Sequence, residues 1–162
     1  MIIEPNKAKE YMSLLDEGLQ VQQAGIDVSV AEIAVFKSSG KIDFDNSDRK
    51  RADIEALPWP EDKTLKLSPG PYLVTLNETF KMPRDAAAIM RPRSTLSRCG
   101  ATIATSVWDP GYEGRSQVLL IVFNEHGLEI KKDARIGQIL FFKMDRPAKS
   151  LYRGAYHKEN LQ

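Results

Sequence analysis

Residues 64–90 read TLKLSPGPYLVTLNETFKMPRDAAAIM. Thr64 to Leu67 and Tyr72 to Leu76 have strand character. Ser68-Pro69-Gly70-Pro71 between them is a turn, because proline presets φ and removes a ladder donor while glycine tolerates the tightest conformations. Thr79 to Met82, a second turn at Pro83-Arg84-Asp85, and Ala86 to Met90 repeat the pattern. Short strands with closely spaced turn signals indicate a β-sandwich or barrel rather than a sheet of βαβ units.

The same texture extends in both directions. Upstream, Val28 to Phe36 reads as a strand that turns at Ser38-Ser39-Gly40, and Lys41 to Phe44 reads as another. Asp45 to Arg51 is a charged connector. Ala52 to Asp62, with Pro58 and Pro60, is a loop from which Trp59 packs on the body. Before these, Asn6 to Gly18 is expected to form a short amphipathic helix, capped by Asn6, with Tyr11, Leu14 and Leu15 on one face. Downstream, Val118 to Asn124 is a near-continuous apolar run, expected to be buried on both faces. Glu129 to Lys131 and Ile136 to Met144 complete the set. The expectation is a single all-β domain over 1–162, a distorted barrel or jelly-roll with a short N-terminal helix. Residues 152–162 form a tail without apolar periodicity.

Composition narrows the function. Lys and Arg total 23 against 22 Asp and Glu, a net charge of +1. That balance speaks against a general binder of nucleic acid or anionic membrane, whose affinity rests on excess positive charge. Cys99 is the only cysteine, so an intramolecular disulfide framework and a multi-cysteine zinc site are excluded. His126 and His157 are isolated and lack ligand spacing. With no signal-like amino terminus and no apolar run near the roughly 20 residues of a membrane helix, the expected location is cytoplasmic.

Residues 91–114, RPRSTLSRCGATIATSVWDPGYEG, carry the chemistry. Arg91, Arg93 and Arg98 surround the hydroxyls of Ser94, Thr95 and Ser97, and guanidinium forks with small hydroxyls hold phosphate oxygens in defined geometry. Beyond an apolar run, Trp108, Asp109 and Tyr112 put two aromatics and a carboxylate around one tight turn. An anion-holding half followed by a carboxylate-and-aromatic half suggests a nucleotide site.

From about Ala24 onward the chain resembles the trimeric deoxyuridine triphosphatases and their relatives, the dCTP deaminases. Ala24-Gly25-Ile26-Asp27 resembles the first motif, Arg93-Ser94-Thr95-Leu96-Ser97 the second, Asp109, Tyr112 and Gly114 the third, and Ala134-Arg135-Ile136-Gly137-Gln138 the fourth. The fold implied is the dUTPase-like β-clip. The glycine-rich fifth motif is absent in its usual form. Tyr152-Arg153-Gly154-Ala155-Tyr156 stands where it is expected, which makes the tail a candidate active-site lid.

The resemblance implies hydrolysis of dUTP to dUMP and pyrophosphate. Asp109 would bond the sugar 3′-hydroxyl and orient the attacking water, and Tyr112 would lie against the deoxyribose and exclude a 2′-hydroxyl. Arg93, Ser94, Thr95, Arg98 and Gln138 would hold phosphate, with Tyr152 and Arg153 closing from the tail. Thr105 and Trp108 belong to the hairpin that reads the base. Asp27 would support Mg²⁺ through water, and the sites would lie between subunits of a homotrimer. Deaminases of this family carry a Glu ten residues after the Asp. Here that position is Leu119, and no carboxylate occurs from Gly114 to Asn124. Deamination then lacks its proton carrier. Two alternatives stay open: a dCTP deaminase or bifunctional enzyme with a relocated acid, Glu113 or Glu125, and a non-catalytic nucleotide-binding protein with the same fold.

Overall fold

The computed structural model describes residues 1–161, which form nine strands and a few single helical turns. The strands are β1 (Ile26–Phe36), β2 (Ile54–Ala56), β3 (Thr64–Leu67), β4 (Gly70–Lys81), β5 (Ala86–Pro92), β6 (Ala101–Ala104), β7 (Glu113–Val122), β8 (Leu128–Lys131) and β9 (Arg135–Lys143). Seven of them make one antiparallel sheet along β5-β9-β1-β4-β7-β6, with β2 added beside β1, and β3 pairs with β8 separately. The two ends of that path meet. Ala88 of β5 bridges Trp108 just beyond β6, and a Cβ on Gly137 of β9 would come within 2.7 Å of Ile103 of β6. The sheet therefore curls into a nearly closed barrel, which leaves little open edge.

Alternation along the strands builds the interior. Val28, Val30 and Ile33 of β1, Val74, Leu76 and Phe80 of β4, Leu120 of β7, and Ile139 and Phe141 of β9 are all within 1% of complete burial. On β7 only one face is covered. Val118, Leu120 and Val122 are buried, Leu119 and Ile121 are half-buried, and Phe123 is exposed. The expectation of burial on both faces is corrected: an antiparallel strand with solvent on its far side alternates.

Trp59 does pack on the body from outside, its indole N–H donating to Ala31 O at 2.9 Å. Other expectations change. The helix anticipated over Asn6–Gly18 is broken into α1 (Pro5–Ala8), a 3-10 turn at Lys9–Tyr11, and α2 (Glu17–Gln20). Met12 N–H closes the 3-10 turn on Lys9 O, and from there Met12 bridges Phe80 and Ser13 N–H donates to Thr79 O at 2.8 Å, so the chain leaves the helix to pair with β4. Lys41–Phe44 is not a strand, and only Lys41 pairs, with Lys50. The two strands expected between Tyr72 and Met82 are one, β4, with its register against β7 shifted between Thr75 and Thr79. At that irregularity Glu78 turns inward, 1% exposed. Its carboxylate accepts from Ser29 N–H at 3.0 Å, Ser29 Oγ at 2.7 Å and Gln20 Nε2 at 2.6 Å.

Candidate active site

Sheet order brings the first cluster together. Asp27 of β1 lies opposite Gln138 of β9, and Gln138 lies opposite Arg91 of β5, so Arg93 emerges from the end of β5 beside them. The Asp27 side chain is 2% exposed. Its Oδ2 accepts from Arg93 Nε at 2.9 Å and from Arg135 Nη1 at 3.2 Å, and its Oδ1 accepts from Gln138 Nε2 at 3.2 Å. Arg93 also donates to Arg135 O at 3.3 Å, and Arg135 to Leu19 O. A buried carboxylate is tolerated only when paired, and here two guanidiniums answer one charge. The surplus positive charge sits at the surface, because Arg93 and Arg135 stay 31% and 27% exposed. The one-turn helix α3 (Ser94–Arg98) follows directly and leaves Ser94, Thr95 and Arg98 exposed.

The second cluster lines a cleft of about 1160 Å³ behind the loop from β6 to β7. That loop is held firmly. Trp108 exchanges backbone bonds with Ala88 at 2.9 and 3.0 Å, Gly111 N–H donates to Met82 O, and Met82 N–H donates to Tyr112 O. Trp108 is 5% exposed and its ring lies 5.5 Å from that of Phe80. A directed chain of hydrogen bonds runs from Trp108 Nε1 to Ser116 Oγ (2.8 Å), on to the Tyr112 hydroxyl (2.8 Å), and from there to Glu159 Oε1 (2.9 Å). Burial pushes the Tyr112 phenol well above its ordinary value, so it stays a neutral donor. Burial likewise raises the Glu159 carboxyl, opposed by the bond from Tyr112 and by the nearby Arg51 charge. Asp109 is exposed at the cleft on this pinned turn, where a carboxylate can orient water or accept from a sugar hydroxyl.

The sequence-derived residues thus fall into two groups. Asp27, Arg93 and Gln138 meet in one, while Trp108, Asp109, Tyr112 and Tyr152 line the other. None of Asp27, Arg93, Ser94, Thr95, Arg98 or Gln138 lines the cleft, and neither does Thr105 or Arg153; Ser106 and Val107 do. The structure adds Arg49, Arg51, Ser116, Tyr156 and Glu159 to the cleft, and Arg135 to the carboxylate cluster. Arg135 stands inside the fourth motif and could have been picked out there. Ser116 and Glu159 carry no local signal.

The described residues contain no group of three His, Cys, Asp or Glu side chains that could hold a metal ion. Both Asp27 oxygens already hold protein donors, an arrangement that fits an anchor for Arg93 and Gln138 better than a support for a hydrated ion. No helix among the described residues is long and apolar enough to cross a membrane.

Residues 6–144 match the family described as dCTP deaminase-like. The chain is 44% identical over 149 residues to a protein of Methanococcoides burtonii named "probable deoxyuridine 5′-triphosphate nucleotidohydrolase", covering 92% of this chain and 88% of the relative. It is 42% identical over 157 residues to the deoxyuridine 5′-triphosphate nucleotidohydrolase of Methanocaldococcus jannaschii, covering 96% of this chain and 98% of the other. Among solved structures, the 2′-deoxycytidine 5′-triphosphate deaminase of Agrobacterium tumefaciens superposes with a TM-score of 0.63 at 22% identity, covering 86% of this chain and 47% of that one, a likeness of fold. With the family match spanning most of the strands and relatives above 40% identity along nearly the whole length, the chain belongs to the dCTP deaminase-like family.

Proposed function

We propose that this chain hydrolyses dUTP to dUMP and pyrophosphate. The observation that carries the reading is Asp109, an exposed carboxylate on a turn pinned to Ala88 and Met82, beside the buried ring of Tyr112. The relatives named for dUTP hydrolysis support the substrate. In this mechanism Asp109 bonds the 3′-hydroxyl and aligns a water with the α-phosphorus. The water oxygen attacks as its proton passes to the Asp109 carboxylate, the bond from the α-phosphorus to the bridging oxygen breaks, and pyrophosphate leaves with the electron pair. Tyr112 packs against the sugar and rejects a 2′-hydroxyl by collision. Trp108 backs the base beside Ser106 and Val107, and Tyr152 closes the site from the tail, while Thr105 and Arg153, which do not line the cleft, hold the ends of these two segments. Arg93, Ser94, Thr95, Arg98 and Gln138 hold the phosphates.

Mg²⁺ would come with the triphosphate and would supply charge neutralisation at its oxygens, since this ion keeps its waters and leans on phosphates. Asp27 serves the phosphates by fixing Arg93 and Gln138. Because the phosphate-holding residues do not line the cleft of their own chain, the complete site combines subunits of a homotrimer. The proposed place of action is the cytoplasm, where the reaction keeps uracil out of DNA and provides dUMP. Deamination is disfavoured, since β7 offers Leu119, half-buried, where a proton carrier is needed.

The test is a product assay with Mg²⁺ on dUTP, dCTP, UTP and dTTP, resolving monophosphate, pyrophosphate and ammonia. Pyrophosphate and dUMP from dUTP alone, abolished in Asp109→Asn, is the expected result. Ammonia from dCTP, or binding of dUTP without turnover, would overturn it.

A further inference from the structure

The C-terminal segment returns to the body along β7. Tyr152 N–H donates to Pro110 O at 2.9 Å, Lys158 N–H to Glu113 O at 2.6 Å, and Arg115 N–H to Glu159 O at 2.9 Å, so that Glu159 bridges Gly114 in parallel. Asn160 Nδ2 adds a bond to Arg115 O at 3.0 Å. Tyr152 meets Tyr112 edge-on at 5.9 Å, and Glu159 accepts from the Tyr112 hydroxyl.

A separate part of the chain reaches this segment. The excursion from β1 to β2 folds back through the Lys41–Lys50 bridge and carries Arg49 and Arg51 over the ring of Tyr156, with guanidinium carbons 5.9 and 5.8 Å from its centroid. Three acids of the excursion have other partners: Lys41 pairs with Asp48, Asp43 accepts from Ser47 Oγ and Asp48 N–H, and Asp45 accepts from Ser47 N–H. Arg49 is steadied by Asn46 Oδ1 at 3.3 Å. A guanidinium can cover an aromatic face and still offer its N–H groups to an anion, and Glu159 is the anion whose carboxyl feels Arg51.

We propose that Arg49 and Arg51 are positioning residues for the nucleotide: they clasp Tyr156 and so hold residues 152–160 as a wall of the Asp109–Tyr112 cleft. Two observations make the segment a wall and not a plug. Tyr152, Tyr156, Glu159 and Asn160 all line the cleft, and about 1160 Å³ remains open with the segment docked, more than enough for a ligand of nucleotide size. The kinetic consequence rests on the dUTP reading, while the clasp itself does not.

The experiment compares the full-length protein with Arg49→Gln/Arg51→Gln, Tyr156→Leu and Tyr156→Phe. Tryptic cleavage after Arg153 and Lys158 is followed by mass, alongside kcat and KM for dUTP. Two exposed cation–π contacts correspond to about a five- to thirtyfold change in the undocked population. Cleavage in the tail should quicken by about that factor in the double variant and in Tyr156→Leu, because proteolysis tracks the open fraction. KM should rise in parallel, with kcat held within about twofold. Tyr156→Phe keeps the ring face and should match wild type on both readouts. Unchanged tail cleavage, a Phe variant that behaves like Leu, or a fall in KM would each overturn the proposal, the last by making the segment a plug. Cleavage needs no substrate. A protein that turns over no dUTP, yet loosens its tail in these two variants, would lose the proposed activity and keep the clasp.

Discussion

Asp27→Asn keeps the shape of a side chain that is 2% exposed and removes its charge. In the native arrangement Oδ2 takes Arg93 and Arg135 while Oδ1 takes Gln138. An amide has one acceptor oxygen and two N–H donors, so, with both arginines kept on the oxygen, Gln138 must turn its own amide to accept from the new N–H, and the negative charge that the two guanidiniums faced is gone. Breaking a fully buried pair costs about 3–5 kcal/mol. Arg93 and Arg135 retain 31% and 27% exposure and can recover water, which brings the expected loss to about 2–3 kcal/mol, in the range for one or two hydrogen bonds to a charged group. For a chain of this size that lowers Tm by about 4–12 °C, measurable by calorimetry and by urea titration. The second readout is affinity for a non-hydrolysable dUTP analogue, measured with Mg²⁺ and again in EDTA. If Asp27 acts through Arg93 and Gln138, binding weakens in both conditions, and combining the change with Arg93→Ala adds little. A Tm shift below about 1 °C would refute the energetic reasoning. An affinity loss confined to Mg²⁺ would return Asp27 to a role on the metal's water shell.

Other outcomes follow from the same geometry. Asp109→Asn should lower kcat by at least about a hundredfold while nucleotide binding, read by calorimetry, persists. Glu78 is a buried acid whose pKa burial raises above the ordinary 4.5. A raised native value means the folded state holds the proton longer, so this group's contribution is full below about pH 4.5 and is lost as pH rises through the native value. Glu78→Gln should therefore flatten the stability profile in that window, and an unchanged slope in urea titrations across pH would contradict it. Gly111 has φ +82, and a Cβ there would lie 2.6 Å from Leu151 Cβ. Gly111→Ala should cost roughly 1–2 kcal/mol for the left-handed backbone alone and speed proteolysis beyond residue 150, since Leu151 must give way.

Most of the strands were legible because their chemistry is local, though Ile54–Ala56, inside the stretch expected as a loop, pairs with β1. Ser68-Pro69 and Pro83-Arg84-Asp85 do break the strands, although the turn expected over Ser68–Pro71 ends sooner, with Gly70 and Pro71 already paired to Val122 and Ile121. An aromatic such as Trp59 between prolines has little choice but to cover the body. The broken helix was not legible. Asn6 to Gly18 carries helical spacing, but Met12 and Ser13 find partners on β4, and neighbouring sequence holds no trace of Phe80 or Thr79. Glu78 inside β4 is similar, since only Ser29 and Gln20 make its burial tolerable.

For the site, the amino-acid sequence by itself determined the chemical inventory: guanidiniums and hydroxyls at 91–98, a carboxylate and a tyrosine at 109–112, and the absence of an acid from Gly114 to Asn124. Residue types at short spacing specify which groups one loop can offer. Only the tertiary structure decided what those groups do to one another. Asp27 and Gln138 are 111 positions apart, and Tyr112 and Glu159 are 47 apart. Their meeting depends on β9 lying between β5 and β1 and on the tail returning along β7. Local propensity is blind to such pairings, because their free energy comes from desolvated charges and shared hydrogen bonds that exist only once the sheet has closed.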